Sequence, residues 1–313
     1  MNSWENKFMK SKYPKRNFSL ALIFSFLAFA FLLPKNAGAQ IFKVDIPQNE
    51  LCLTEENTPF ALDKVWDSVI FASAAATYGS ALFKDHVSSK DKYDPSKIYD
   101  KDDINSLDRF FMTGYNNTLH NAGTVTCIIA TAGIPAATFL TESACGNFSG
   151  QNLFDVAVMY SEAILFTNGI KDWIKIGARR ERPYMYFDDR DQDGIDSNDF
   201  MYSFLSGHTA NAFMGATFTS YVFCSYYPDS NLKIPVIATS YLFAAGTGAM
   251  RMASGNHFFT DVLAGAAMGS AVGFAVPFVH RFFAQRNNSQ TGDSSKKPQL
   301  MFSPYGINVH MNF

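Results

Sequence analysis

Six long stretches of the chain carry almost no charge, and polar segments separate them. They are Ser68–Phe83, Ala122–Leu140, Val156–Ile170 (interrupted by Glu162), Thr209–Pro228, Ile234–Met250 and Val262–Val279. Ala, Gly, Leu, Phe and Met dominate these stretches, and none alternates polar with β-branched residues, so each is predicted as a helix. Gly265 and Gly269 stand four apart, a spacing that lets a neighbouring helix come close. The fold class expected is all-α: one domain over 65–285, a bundle of about six core helices. At 15 to 20 residues the apolar stretches sit between buried core helices and membrane spans, and their lack of charge favours a membrane-embedded bundle. A segment over 40–64 precedes the domain without a clear pattern. Residues 286–313 are expected to form a flexible C-terminal tail, whose end, Ile307–Phe313, alternates like a strand with no evident partner.

Composition narrows the classes. Charged residues are only 17% of the chain, against roughly 25% in soluble domains, and apolar residues reach 47%. Such a chain is neither disordered nor, with four Cys in 313 residues, a disulfide-packed miniprotein. A pI near 6.3 gives no broad basic surface for nucleic acid. The formal charge of −2 hides a division. Residues 1–39 hold six Lys or Arg against Glu5 alone, which makes them +5 and the remainder −7. Behind the basic run come the apolar Phe18–Leu33 and then Ala37-Gly38-Ala39, the pattern of an export signal peptide over 1–39 cleaved after Ala39.

Against the acidic trend of the remainder, Lys171, Lys175, Arg179, Arg180 and Arg182 fall within twelve residues. Ser206-Gly207-His208 opens an apolar helix, whose first N–H groups can face an anion. Arg251 is followed by His257 and then Asp261; the i,i+4 spacing predicts one helical face on which the carboxylate fixes the imidazole tautomer. Cations, a helix N-terminus and two histidines describe a pocket for a phosphate-like oxyanion with acid–base or nucleophilic chemistry. Arg179 and Arg180 fit no part of this pattern and are expected as solvated or headgroup contacts. His86, His120, His280 and His310 are expected to be structural.

These residues also carry a resemblance. Lys175-x6-Arg182-Pro183, Ser206-Gly207-His208 and Arg251-x5-His257-x3-Asp261 resemble the three-part signature of the type 2 phosphatidic acid phosphatase/vanadium haloperoxidase superfamily. The likeness covers about 60–283 and departs at Leu205 and Met250, where the family usually has Pro and Ser. It implies an acid phosphatase/vanadium haloperoxidase-like fold in which Lys175, Arg182 and Arg251 hold phosphoryl oxygens, with Ser206 and the Gly207 N–H adding hydrogen bonds. His257, oriented by Asp261, would attack phosphorus, and His208 would protonate the leaving oxygen and then activate water. The implied activity is a phosphatase that needs no metal, acting on a phosphomonoester or diphosphate of a lipid-type substrate. Alternatives are a haloperoxidase holding vanadate in the same pocket, a soluble periplasmic acid phosphatase acting on small phosphomonoesters, and a non-catalytic membrane protein.

Between the first two motifs, Asp189, Asp191, Asp193 and Asp196 resemble part of an EF-hand calcium loop, with Asp199 as a further oxygen donor; the position twelve carboxylate is replaced by Phe200. A solvated acidic loop is the equal alternative. Cys52 and Cys145 admit a bridge in an exported protein, whereas Cys127 and Cys224 lie in apolar stretches and are expected to be free. The signal and the resemblance together imply a bacterial cell envelope. The site would face the periplasm from the inner membrane if 122–140, 153–173, 209–227, 234–250 and 262–280 cross. That orientation requires Ser68–Phe83 not to cross fully, or the N-terminal segment to be handled differently.

Overall fold

The computed structural model describes residues 58–60, 62–87, 93–290, 299–303 and 306–310. The leader over 1–39, Cys52 and most of the 40–64 segment lie outside these residues. In chain order the helices are α1 (Lys64–Val87), α2 (Ser106–Phe111), α3 (Asn117–Ile128), α4 (Ile134–Ala144), α5 (Gly150–Ala178), α6 (Gln192–Asp196), α7 (Gly207–Tyr226), α8 (Lys233–Ala253) and α9 (Phe259–Gln290). All six apolar stretches are thus helical. The second is built from α3 and α4 joined through a π-helical turn at Ile129–Gly133. There the Thr131 carbonyl accepts from the Tyr160 hydroxyl, and the Ala130 carbonyl approaches Gly215 of α7.

The helices start where polar side chains satisfy the first free N–H groups. Asn116 caps α3 through Leu119 N at 3.0 Å, and Ser149 caps α5 through Asn152 N at 3.1 Å. Helix α5 stops at Arg179, whose left-handed φ of 46° ends the helical repeat. Helix α9 lies on α7 through a row of glycines: a Cβ at Gly265 would meet the Ser206 carbonyl at 2.6 Å, one at Gly269 the Ala210 carbonyl, and one at Gly273 the Met214 carbonyl at 2.5 Å. The expected close contact at Gly265 and Gly269 is present and extends one turn further. The largest apolar core joins Phe139, Phe148, Met159, Phe218 and Tyr226 at the end of the bundle where α7 finishes.

Helix α1 runs beside α5. Asp67 stands near Glu162, the Tyr78 backbone fills the notch at Gly169, and Trp173 Nε1 donates to Ser80 Oγ at 3.1 Å. Among the described residues three segments are long and apolar enough to cross a membrane: Asn117–Ala144, Gly150–Tyr186 and Phe259–Gln285. Helices α1, α7 and α8 are not among them, so two of the five stretches expected to cross, 209–227 and 234–250, fall short of that combination of length and hydropathy. Large apolar side chains face outward on the bundle, including Phe154 at 59% exposure and Leu242 at 70%.

The C-terminal stretch carries regular elements. Helix α9 continues to Gln290, and β1 (Gln299–Ser303) pairs antiparallel with β2 (Gly306–His310), with Leu300 opposite Val309. The partner that the alternating end seemed to lack is the segment just before it. Cys127 and Cys224 are free thiols, as expected, and Cys145 is an exposed one.

Candidate active site

Helix direction brings the signature residues to one end of the bundle. Helices α5 and α8 finish there, and α3, α7 and α9 begin there. Backbone bonds tie these ends: Ser206 N to Asp261 O at 3.1 Å, Asn116 N to Ser254 O at 3.2 Å, and Tyr184 N to Gly255 O at 3.1 Å. Gly255 has φ of +72°, and a Cβ there would meet the Gly114 carbonyl at 2.5 Å, so glycine is required where these two loops touch.

His257 is 1% exposed and sits in the loop before α9. Its Nδ1 lies 2.7 Å from the Ser203 carbonyl, which can only accept, so Nδ1 carries the proton and Nε2 keeps its lone pair. Nε2 lies 3.3 Å from Arg182 Nη1. Burial lowers the His257 pKa well below the usual imidazole value, and the cations Arg182, Arg251 and Lys175 lower it further. The ring is therefore neutral at neutral pH, with its free nitrogen toward the cations.

The expectation that Asp261 grips His257 from one helical face is corrected. His257 precedes the helix, and its Nδ1 is 3.8 Å from Asp261 Oδ2. Asp261 instead accepts Ser203 Oγ at 2.5 Å and Phe258 N at 2.9 Å on Oδ2, and Arg180 Nη1 at 2.6 Å on Oδ1. Asp261 thus closes the first turn of α9 and holds Ser203, whose carbonyl orients the imidazole. Arg180 is corrected too: it bridges Asp261 and the buried Asp108, bonds Thr260 Oγ1 at 2.9 Å, and stacks 4.1 Å over the Phe258 ring.

The other cations converge on His257. Arg182, 3% exposed, donates to the Asp199 carbonyl at 2.9 Å, to Asp199 Oδ2 at 2.6 Å and to the Asn256 carbonyl at 3.0 Å. Lys175 Nζ donates to the Tyr202 carbonyl at 3.0 Å. Arg251 is 2% exposed, reaches the His120 carbonyl at 3.5 Å and leaves Nε buried without a partner. Ser206 Oγ caps α7 and bonds Thr209 Oγ1 at 2.8 Å, and the Lys171 side chain lies across Gly207 where a Cβ would collide at 2.7 Å. His208, on the first turn of α7, has Nε2 3.4 Å from Thr124 Oγ1. Its pKa is lowered well below the ordinary value by burial first, then by Arg251, His257, Lys175 and Arg182. Buried cations around a neutral imidazole form a pocket suited to a multiply charged oxyanion.

The acidic loop is not gathered around one point. Gln192–Asp196 winds into α6, where Asp196 Oδ1 accepts from Gln192 Nε2 at 2.8 Å, and Asp199 is paired with Arg182. Asp189, Asp191, Asp193 and Asp196 do not form a convergent carboxylate set. Among the described residues only Asp67, Glu162 and His280 bring three ligand atoms within 4.8 Å of one another. Burial would raise the Asp199 pKa, but Arg182 and Lys175 outweigh it and hold the carboxyl below its usual range.

Sequence reasoning missed Ser203, Asn256, Asp108, the pairing of Asp199 with Arg182 and the placement of His120. Only adjacency to the motifs could have flagged Ser203 and Asn256. His120, set aside as structural, stands at the site with its carbonyl on Arg251, its ring 5.8 Å from that of Tyr115 and its Nδ1 buried without a partner.

Parts of the chain are similar to known proteins. Residues 156–285 match the model of the PAP2 superfamily. A PA-phosphatase related-family protein of Dictyostelium discoideum is 28% identical over 142 residues, 43% of this chain and 52% of that protein. The chain therefore spans about half the length of that curated relative. The crystal structure of a transmembrane PAP2-type phosphatidylglycerolphosphate phosphatase from Bacillus subtilis is 18% identical, covers 74% of this chain and 98% of its own, and has a TM-score of 0.38. Lys175, Arg182, Ser206, His208, Arg251, His257 and Asp261 all lie inside the segment that is similar to the PAP2 superfamily.

Proposed function

We propose that the chain is a phosphatase that passes the phosphoryl group of a lipid-linked phosphomonoester or diphosphate to His257 and then to water. The observation that carries this reading is the His257 ring: Nδ1–H is committed to the Ser203 carbonyl, leaving Nε2 neutral and facing Arg182. Lys175, Arg182 and Arg251 hold the phosphoryl oxygens and offset the charge that grows in the transition state. Nε2 forms a bond to phosphorus while the bond to the leaving oxygen breaks, and that oxygen takes its proton from His208. Water then attacks the phosphohistidine, His208 takes back a proton, and Nε2 is released with inorganic phosphate. His208 is held neutral by burial first and then by its cationic neighbours; a bound phosphate dianion offsets their field and raises its proton affinity in the complex. The positive charge of the three cations serves where other phosphatases use metal ions, so this mechanism requires no metal.

The lipid character of the substrate is supported by the three membrane-capable helices and the outward apolar side chains. The site then lies at the membrane surface, on the periplasmic face in the orientation the export signal implies. A reporter fused after residue 190 that is active only in the cytoplasm would reverse that orientation. The function is tested with purified protein and a panel of soluble phosphomonoesters, phosphatidate-type monoesters and prenyl-type diphosphates. Phosphate release from the lipid substrates, lost in His257→Ala with helicity retained, is expected. Equal or higher turnover of soluble esters would make this a non-specific phosphatase, and undiminished activity in His257→Ala would refute the mechanism.

A further inference from the structure

A second polar cluster lies deep in the bundle, away from the phosphate site. Asp67 of α1, Glu162 of α5 and His280 of α9 each present a ligand atom within 4.8 Å of the other two. His280 is 1% exposed and the Glu162 side chain 0%, while the Asp67 side chain keeps 12%. The two imidazole nitrogens stand 2.7 Å from Glu162 Oε2 and 3.1 Å from Asp67 Oδ1. The other oxygen of each carboxylate, Glu162 Oε1 and Asp67 Oδ2, is buried with no hydrogen-bond partner. Thirteen residues of α5 separate Glu162 from Lys175, roughly 20 Å at the helical rise, so the cluster is no part of the phosphate pocket.

Charge makes this arrangement incomplete as it stands. With both carboxylates ionised, the cluster carries a net negative charge even when the ring is protonated, and burial pushes the Asp67 carboxyl above its usual range, against that charge. Among the described residues neither carboxylate is paired with Lys or Arg. Two buried acceptor oxygens also stay unbonded, each at the desolvation cost of an unpaired polar group. A divalent cation removes both deficits: with a neutral imidazole the site sums to zero, and the orphaned oxygens gain a partner. One imidazole and two carboxylates are a donor set for borderline transition metals such as zinc, with bonds of about 2.0–2.2 Å, and shifts of the three side chains would open the direct N···O contacts to admit the ion. The second ring nitrogen then keeps its N–H on a carboxylate oxygen, which fixes the ring.

We infer that Asp67, Glu162 and His280 form a structural site for a divalent transition metal of the zinc class, tying α1 to α5 and α9. The metal would tie the first turn of α1, where Trp66 stacks on Phe283 of α9, to the bundle.

The test uses the full chain, purified without chelator, incubated with zinc chloride, dialysed and assayed for bound metal. Stoichiometric zinc is expected, with occupancy falling on the order of tenfold or more in Glu162→Gln and in Asp67→Asn. Chelation should lower the melting temperature of the wild-type protein, zinc should restore it, and neither should move the variants. Asp67→Asn at the more exposed position covers the case in which Glu162→Gln fails to fold. Sub-stoichiometric zinc in the wild type, or full zinc retained by both variants, overturns the inference. These readouts do not depend on phosphatase activity, so they stand or fall apart from the proposed reaction.

Discussion

Replacing Arg180 with Ala separates its structural role from a surface or headgroup role. Arg180 places one guanidinium nitrogen 2.6 Å from Asp261 and another 2.7 Å from Asp108, both carboxylates being fully buried, while 25% of its own side chain stays exposed. Burial alone would raise the Asp108 pKa, but Arg180, Thr260 and Asn105 outweigh it and keep the carboxyl below its usual value. Arg180→Ala removes two charge-assisted bonds of about 1.5–3 kcal/mol each and leaves both carboxylates without their cation. Thr260, Asn105, Ser203 and Phe258 N still serve the two carboxylates, and water screens the exposed edge. The net loss is therefore set near the lower end, about 3 kcal/mol, which lowers the melting temperature by about 6–12 °C for a domain of this size. Arg180→Lys cannot fork between the two acids and should recover only part of this. In Arg180→Ala/Asp108→Asn one uncompensated charge is gone, so the double variant should be less destabilised than the sum of the singles. The assay is thermal unfolding of purified protein, with turnover measured below the transition. A melting temperature for Arg180→Ala within about 2 °C of wild type would refute the bridging role.

Glycine packing gives a paired test: Gly269→Ala places a Cβ on the Ala210 carbonyl and should cost about 1–3 kcal/mol, whereas Gly246→Ala meets nothing within 4 Å and should stabilise by about 0.5–1 kcal/mol. Unfolding temperatures of the two variants moving the same way would contradict the tight α7–α9 contact. In the empty site both His257 and His208 have pKa values lowered below 6.5, so the unfolded chain takes up protons first as pH falls. Stability should therefore drop as pH goes below about 6.5, before the carboxylates titrate, and His257→Gln should reduce that drop; a melting temperature flat from pH 7 to pH 5 would contradict the lowered values. Lowered Asp108 and Asp199 contribute stability that is full above about pH 4 and is lost as pH falls through their folded values, a second, more acidic loss in the same scan. His208→Ala should slow hydrolysis of alkyl phosphates by about 10²–10⁴ while sparing aryl phosphates, whose leaving oxygen needs less protonation. Equal losses on both substrates would take His208 out of the leaving-group step.

The helices were legible because each is a continuous apolar run, and the row begun by Gly265 and Gly269 marked a real close contact. Legible too was the cluster of cations and histidines, since Lys175, Arg182, Ser206, His208, Arg251 and His257 meet at one end of the bundle from four separate helix ends. What holds His257 was not legible. A backbone carbonyl such as that of Ser203 leaves no trace in residue type, and the i,i+4 reading assumed a helix that starts only after His257. Asp261 and Arg180 act one step back from the ring, through Ser203 and Phe258. Arg180 looked like a surface charge because its partner Asp108 lies 72 residues earlier in the chain. The acidic loop misled for a related reason. Aspartates at alternate positions suggest convergence on one ion, but the Gln192–Asp196 helix turns them apart and Arg182 takes Asp199. The Asp67–Glu162–His280 cluster was invisible because its three members come from helices distant in sequence.

The central claim is that Nε2 of His257 becomes the phosphoryl carrier. The most direct measurement is rapid acid-free quenching of the enzyme with a radiolabelled phosphomonoester, followed by mapping of the labelled peptide. Label on His257 that is stable in base and labile in acid, absent from His257→Ala and persisting longer in a His208 variant, is the outcome expected. Turnover without any phosphoenzyme, or label carried by Ser206 or another residue, would contradict it.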